Sequence, residues 1–204
     1  LVTALGEGVA DNWTALVAGR SGIRRLTRFP VEGLRVTFGG AVDHGGLGGL
    51  PVTQRCLAMG RAVAAEALGQ AGLAGAAFGG PLVLALPPIE LEWPQRRALA
   101  ARAAHPTYAD ILAVADDGPE SAAHLDFLFG TVGERLAAAF GTAGPPITLS
   151  TACASGASAI QTAVEAIRRG DCERALVVGS EGSLQVEALI RFALLQALST
   201  HNED

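Results

Sequence analysis

Residues 147–178 read ITLSTACASGASAIQTAVEAIRRGDCERALVV. Pro145-Pro146 stops whatever precedes this stretch, and 147–152 is a short apolar run expected to form a buried strand. From 155 to 169 the spacing becomes helical. Ile160, Ala163, Val164 and Ile167 are expected to face inward, with Arg168 and Arg169 near the C-terminus, where cations suit the helix dipole. Gly170 ends the helix, and 175–178 (ALVV) is a second strand expected to be covered on both faces. A strand–helix–strand unit of these lengths is a right-handed crossover joining parallel strands. The class is α/β.

Outward from this unit the chain continues in the same style. A helix is expected at 9–17, with Trp13, Leu16 and Val17 on one face and Gly19 closing it. Residues 35–42 alternate weakly, as an edge strand would, and the glycines from 39 to 49 suggest a loop. A second helix is expected over 53–70, its stripe formed by Leu57, Ala64, Leu68 and Ala71. Residues 82–86 form another continuous apolar run, hence a buried strand. Between Pro87 and Pro119 the signal is poor, apart from a short helix opening at Trp93-Pro94. Residues 120–140 again carry a helical face, of Leu125, Phe129, Val132, Leu136 and Phe140. Residues 184–198 look helical and stop in a polar tail.

Bulk properties exclude several functions. Of 204 residues half are apolar and 17% charged, which describes a globular chain. The net charge is −5 and every basic residue is an arginine, with no basic stripe, so nucleic acid is not an expected partner. No apolar stretch approaches the roughly 20 residues that span a bilayer, and no basic, apolar leader opens the chain. No membrane association is therefore expected. Cys56, Cys153 and Cys172 are an odd set without CxxC spacing, which argues against a disulfide framework or a zinc site. The expected setting is cytoplasmic, with reduced thiols and no metal.

Cys153 stands apart from the other two cysteines. It lies between a strand end and a helix start, where unpaired N–H groups and the helix dipole favour a thiolate and can hold an oxyanion. Ala152, Ala154, Ser155, Gly156 and Ala157 are small enough for a substrate chain to approach. Most free cysteines are merely small buried hydrophobes, and Cys56 and Cys172 are read that way.

TACASG, followed by IRRGD, ALVVGSEG and FALLQALSTHNED, resembles the β-ketoacyl carrier-protein synthases of fatty-acid and polyketide synthesis. LGEGVADNWTALVAGRSGI near the start is similar to the segment that follows that family's first strand. The resemblance implies a thiolase-like fold, of which this chain is one lobe, the N-terminal half of a layered αβαβα architecture. It assigns residues 1–204 to the synthase N-terminal domain, with the first strand and the whole C-terminal lobe missing. It makes Cys153 the nucleophile, accepting an acyl group from an acyl carrier protein before decarboxylative condensation with a malonyl unit. The Cys153 N–H would form one arm of the oxyanion hole. No bound cofactor is implied, because substrates ride on the carrier's phosphopantetheine. A homodimer, or a heterodimer with a related subunit, is implied as well.

Departures from the family pattern fall at Leu86-Pro87-Pro88-Ile89-Glu90, at Phe129-Gly130-Thr131 and at Gly179-Ser180-Glu181-Gly182. None of His44, His105, His124 and His201 occupies a family catalytic position, and all four are expected at the surface. Glu181 is read as structural, buttressing the cysteine loop. Two other readings stay open: a non-catalytic synthase-like subunit that sets chain length, and a thiolase acting on coenzyme A thioesters. Partners of the first kind typically replace the nucleophile, whereas Cys153 is present.

Overall fold

The structure, a computed structural model, describes residues 1–103, 105, 107–117, 121 and 124–201. A small hairpin of β1 (Val2–Thr3) and β2 (Gly6–Glu7) leads into α1 (Val9–Val17). A second antiparallel pair, β3 (Arg24–Arg25) with β4 (Phe38–Gly39), precedes the long α2 (Val52–Gln70) and β5 (Leu82–Ala85). Then come α3 (Trp93–Arg102), α4 (Tyr108–Asp116) and α5 (Thr131–Phe140). The chain closes with β6 (Ile147–Leu149), α6 (Ser155–Arg168), β7 (Leu176–Gly179) and α7 (Val186–Leu194).

The main sheet is parallel, in the order β6-β5-β7. Val83 of β5 stands opposite Ile147 on one side and Val177 on the other. The crossover through α6 therefore joins parallel strands, as the sequence suggests, but those strands flank β5 instead of pairing with each other. All four residues of β5 are buried, as the center of a doubly covered sheet requires. Alternation along β5 sends Val83 and Ala85 toward Ala159 and Ala163 of α6. Leu82 and Leu84 go to the opposite core, with Ala64 and Leu68 of α2 and Val132 and Leu136 of α5.

Several expectations are corrected. β6 is an edge strand with Ile147 46% exposed, because only β5 flanks it among the described residues. On α6 the sheet-facing residues are the alanines, Ala159 and Ala163. Ile160, Val164 and Ile167 point away and are exposed. Small side chains let the helix backbone sit close to the sheet, so the bulky members of the stripe fall outside the contact.

On α1 the face shared by Trp13, Leu16 and Val17 is the outer one. Asn12 and Ala15 are buried while Trp13, Leu16 and Val17 are exposed. Asn12 Nδ2 donates to the carbonyls of Gly6 (3.0 Å) and Gly8 (2.7 Å), so a polar residue staples the helix to the hairpin. On α2, Ala64 and Leu68 are buried and Leu57 is partly so, whereas Ala71 lies exposed beyond the helix end.

The strand expected over 35–42 shrinks to β4. The helical face expected over 120–140 is broken by a 3-10 turn at His124–Phe127, which leaves Leu125 exposed; Glu120 lies outside the described residues. α4 was not foreseen; its cap is Thr107, whose Oγ1 accepts from the Asp110 N–H (3.2 Å). Gly19 and Gly170 do close their helices in the left-handed region. The following N–H groups of Arg20 and Asp171 reach back to Ala15 and Ala166. Among the described residues no helix is long and apolar enough to cross a membrane.

Candidate active site

β6 ends at Leu149 and α6 begins at Ser155, so the chain turns from strand to helix within five residues. At the bend Ala152 has φ of +52°, a conformation a residue with a Cβ adopts only when its surroundings impose it. Ser155 supplies much of that imposition. Its hydroxyl donates to the Ala152 carbonyl (2.6 Å) and accepts from the Thr151 N–H (2.9 Å). The hydroxyls of Thr151 and Ser158 meet at 2.9 Å, and the Ala154 N–H donates to the Thr151 carbonyl (3.2 Å).

Cys153, at the apex, is exposed. It precedes the first turn of α6 and stands on the cleft side of a clamped elbow. Sequence reading valued Ser155 for its size alone; its role as the clamp was missed, although a serine four residues after Thr151 at a helix start is a visible cue.

The elbow borders a cleft of about 840 Å3. Its walls come from α2 (Met59, Val63), from the segment after β5 (Leu86, Pro87, Pro88, Glu90), from the 179–185 loop and from α7 (Ala188, Arg191, Phe192). Two of the three stretches that depart from the family pattern thus line this cavity; Phe129-Gly130-Thr131 does not.

The other two thiols sit elsewhere. Cys56 is buried in the α2 core, where burial, then the negative charge of Glu181, push its thiol up to about 11. Cys172 is half-buried in the turn before β7. Only Cys153 combines exposure with the cleft.

Two buried or half-buried arginines position the cleft's loop. Arg55, 2% exposed, donates to the carbonyls of Leu47 (3.1 Å), Leu50 and Gly182. Arg28 Nε donates to Asp43 (3.0 Å), and the same guanidinium reaches the carbonyls of Val42 (2.8 Å) and Leu184 (3.4 Å). Elsewhere in the cleft wall Glu90 accepts a two-pronged pair from Arg191 (3.0 and 2.6 Å), with Arg96 at 3.6 Å. Those hydrogen bonds from Arg191 hold the Glu90 carboxyl below the usual carboxylate range. A separation of 101 residues hides this pair from the sequence.

Glu181 is in the cleft wall but does not hold the cysteine loop as expected. Its Oε1 accepts from the Ser183 N–H (2.7 Å) and from the Ser183 hydroxyl, closing its own turn. None of the histidines lines the cleft. His105, His124 and His201 are exposed, as expected. His44 is half-buried, its Nε2 against the Thr3 carbonyl at 2.9 Å. Among the described residues no group of three His, Cys, Asp or Glu could hold a metal ion.

Comparison with known proteins agrees with this geometry. The family described as β-ketoacyl synthase, N-terminal domain, matches residues 88–204. Spectinabilin polyketide synthase system protein NorC of Streptomyces orinoci is 36% identical over 96 residues, which are 45% of this chain and 4% of NorC. Among solved structures, the ishigamide ketosynthase/chain length factor superposes with a TM-score of 0.73 at 25% identity, over 97% of this chain and 49% of its own. A type II polyketide acyl-carrier protein in complex with its ketosynthase, AntDE:AntF, gives a TM-score of 0.74 at 22% identity. That match covers 100% of this chain and 49% of the other. The chain thus spans about half the length of these thiolase-like ketosynthases and a small part of NorC, and their fold is its fold.

Proposed function

The chain belongs to the β-ketoacyl synthase family, and on that premise we propose that Cys153 accepts the growing acyl chain in polyketide synthesis. The Cys153 thiolate attacks the thioester carbonyl of an acyl carrier protein, forming a Cys153 thioester and releasing the carrier's thiol. A malonyl thioester then loses CO2, and its carbanion attacks the Cys153 thioester carbonyl. The product is a β-ketoacyl chain two carbons longer, and the thiolate is restored. The observation that carries this reading is a single exposed thiol on a clamped strand-to-helix elbow, opening onto a largely apolar cleft.

The likeness to NorC supports a polyketide over a fatty-acid product. That AntDE:AntF is a complex with an acyl-carrier protein supports such a carrier as the donor here. Decarboxylation places negative charge on the malonyl thioester carbonyl, which needs hydrogen-bond donors. No histidine lines the cleft, and on this reading the donors come from the second lobe that the family resemblance implies.

The ishigamide match fits a second reading, a non-catalytic subunit of the chain-length-factor kind. Retention of the thiol favours the catalytic one. The test is to supply the protein, complete with its second lobe, with acyl- and malonyl-carrier thioesters and follow CO2. Release that Cys153→Ala abolishes is expected; release that survives Cys153→Ala would overturn the assignment.

A further inference from the structure

Ala152, Cys153 and Ser155 all border the cleft, yet the Ser155 hydroxyl is engaged within the elbow itself. It donates to the Ala152 carbonyl (2.6 Å) and accepts from the Thr151 N–H (2.9 Å), so it anchors the chain on both sides of one backbone bend. The Ser155 N–H also donates to the Ala152 carbonyl (3.1 Å), which therefore receives two hydrogen bonds from one residue. Between the anchors the Ala152 backbone stands at φ +52°. For a residue with a Cβ that conformation is disfavoured about tenfold, whereas glycine adopts it freely. The next residue is the exposed thiol.

We propose that Ser155 is a positioning residue: its hydroxyl holds Ala152 in the left-handed conformation, and that conformation keeps the Cys153 thiol on the cleft side, where an acyl chain lies. This rests on the reading of the cleft as the acyl site of Cys153. Removing the hydroxyl releases both anchors at once. Ala152 then relaxes to negative φ, and the direction in which the chain enters Cys153 changes with it. The thiol stays exposed but leaves the cleft. A small reagent finds it as readily as before, whereas a chain that must lie in the cleft while it reacts does not. Glycine needs no help to hold a left-handed turn, so Ala152→Gly should stand in for the missing hydroxyl. A hydroxyl that merely capped α6 could not be replaced in that way.

The test compares two alkylating reagents on the full-length protein, iodoacetamide and N-hexyl iodoacetamide, with the Cys153 peptide followed by mass. The hexyl chain gains from burial in an apolar cleft, so at Cys153 it should react about tenfold faster than its parent. Ser155→Ala should bring that ratio down to about one while the iodoacetamide rate stays within about twofold. Adding Ala152→Gly to Ser155→Ala should restore most of the ratio. Thr162→Ala removes a hydroxyl of the same helix that is bonded to the Ser158 carbonyl (2.8 Å), and it should leave the ratio unchanged. The proposal is overturned if the wild type shows no preference for the hexyl reagent, if the preference survives Ser155→Ala, or if Ala152→Gly fails to restore it. No carrier thioester takes part, so a Cys153 that follows this pattern yet takes no acyl group counts against the proposed function alone.

Discussion

At the scale of single residues the three thiols should separate cleanly. Brief iodoacetamide treatment near pH 7 should label Cys153 first, Cys172 slowly and Cys56 last, because only Cys153 is exposed. Peptide mapping checks the order, and equal labelling of all three would contradict it. Cys56 makes a separate, pH-dependent prediction. Its native pKa of about 11 lies above the ordinary 9.0, so the unfolded chain surrenders that proton first. The stability linked to the neutral thiol is whole below pH 9.0 and drains away as pH climbs through about 11. Cys56→Ala should flatten that alkaline decline in urea unfolding midpoints measured at successive pH values, apart from a pH-independent cost for the lost packing.

At the scale of elements, the cleft's loop is pressed against α2 at Gly182. A Cβ built there would meet Cys56 Sγ at 3.0 Å, and the Cys56 nitrogen and Val52 carbonyl at 3.4 Å. Gly182→Ala should cost about 1–3 kcal/mol, seen as a lower Tm, while Gly49→Ala meets nothing within 4 Å and serves as the control.

The elements themselves were legible where one residue pattern decides them. β5 is a run of apolar residues, α2 keeps its period over 19 residues, and the elbow cysteine sits among small residues. Faces were less legible. On α1 and α6 the inward positions are Asn12, Ala15, Ala159 and Ala163, because close approach to the sheet or hairpin favours small or hydrogen-bonding residues over large ones. Periodicity locates an apolar stripe but does not say which of two packed surfaces it serves. The cleft's Glu90–Arg191 and Arg55–Gly182 contacts join segments about a hundred residues apart and leave no local trace.

At the scale of the whole molecule, the exposed apolar faces form a pattern. Trp13, Leu16 and Val17 on α1, Ile160, Val164 and Ile167 on α6, and Phe192, Leu194 and Leu195 around the end of α7 are all exposed. So much apolar surface on three helices is what burial against the second lobe and partner subunit implied by the family resemblance would require. Light scattering of the protein with its second lobe should therefore give at least a dimer at micromolar concentration, and a monomer would contradict that assembly. The account as a whole depends on Cys153 taking the acyl chain. The direct measurement is intact and peptide mass after brief exposure of residues 1–204 to an acyl-carrier thioester. A single acyl adduct on the Cys153 peptide, absent in Cys153→Ala and formed without CO2 release when malonyl carrier is added, is the predicted result. No adduct, or an adduct that persists in Cys153→Ala, would contradict it.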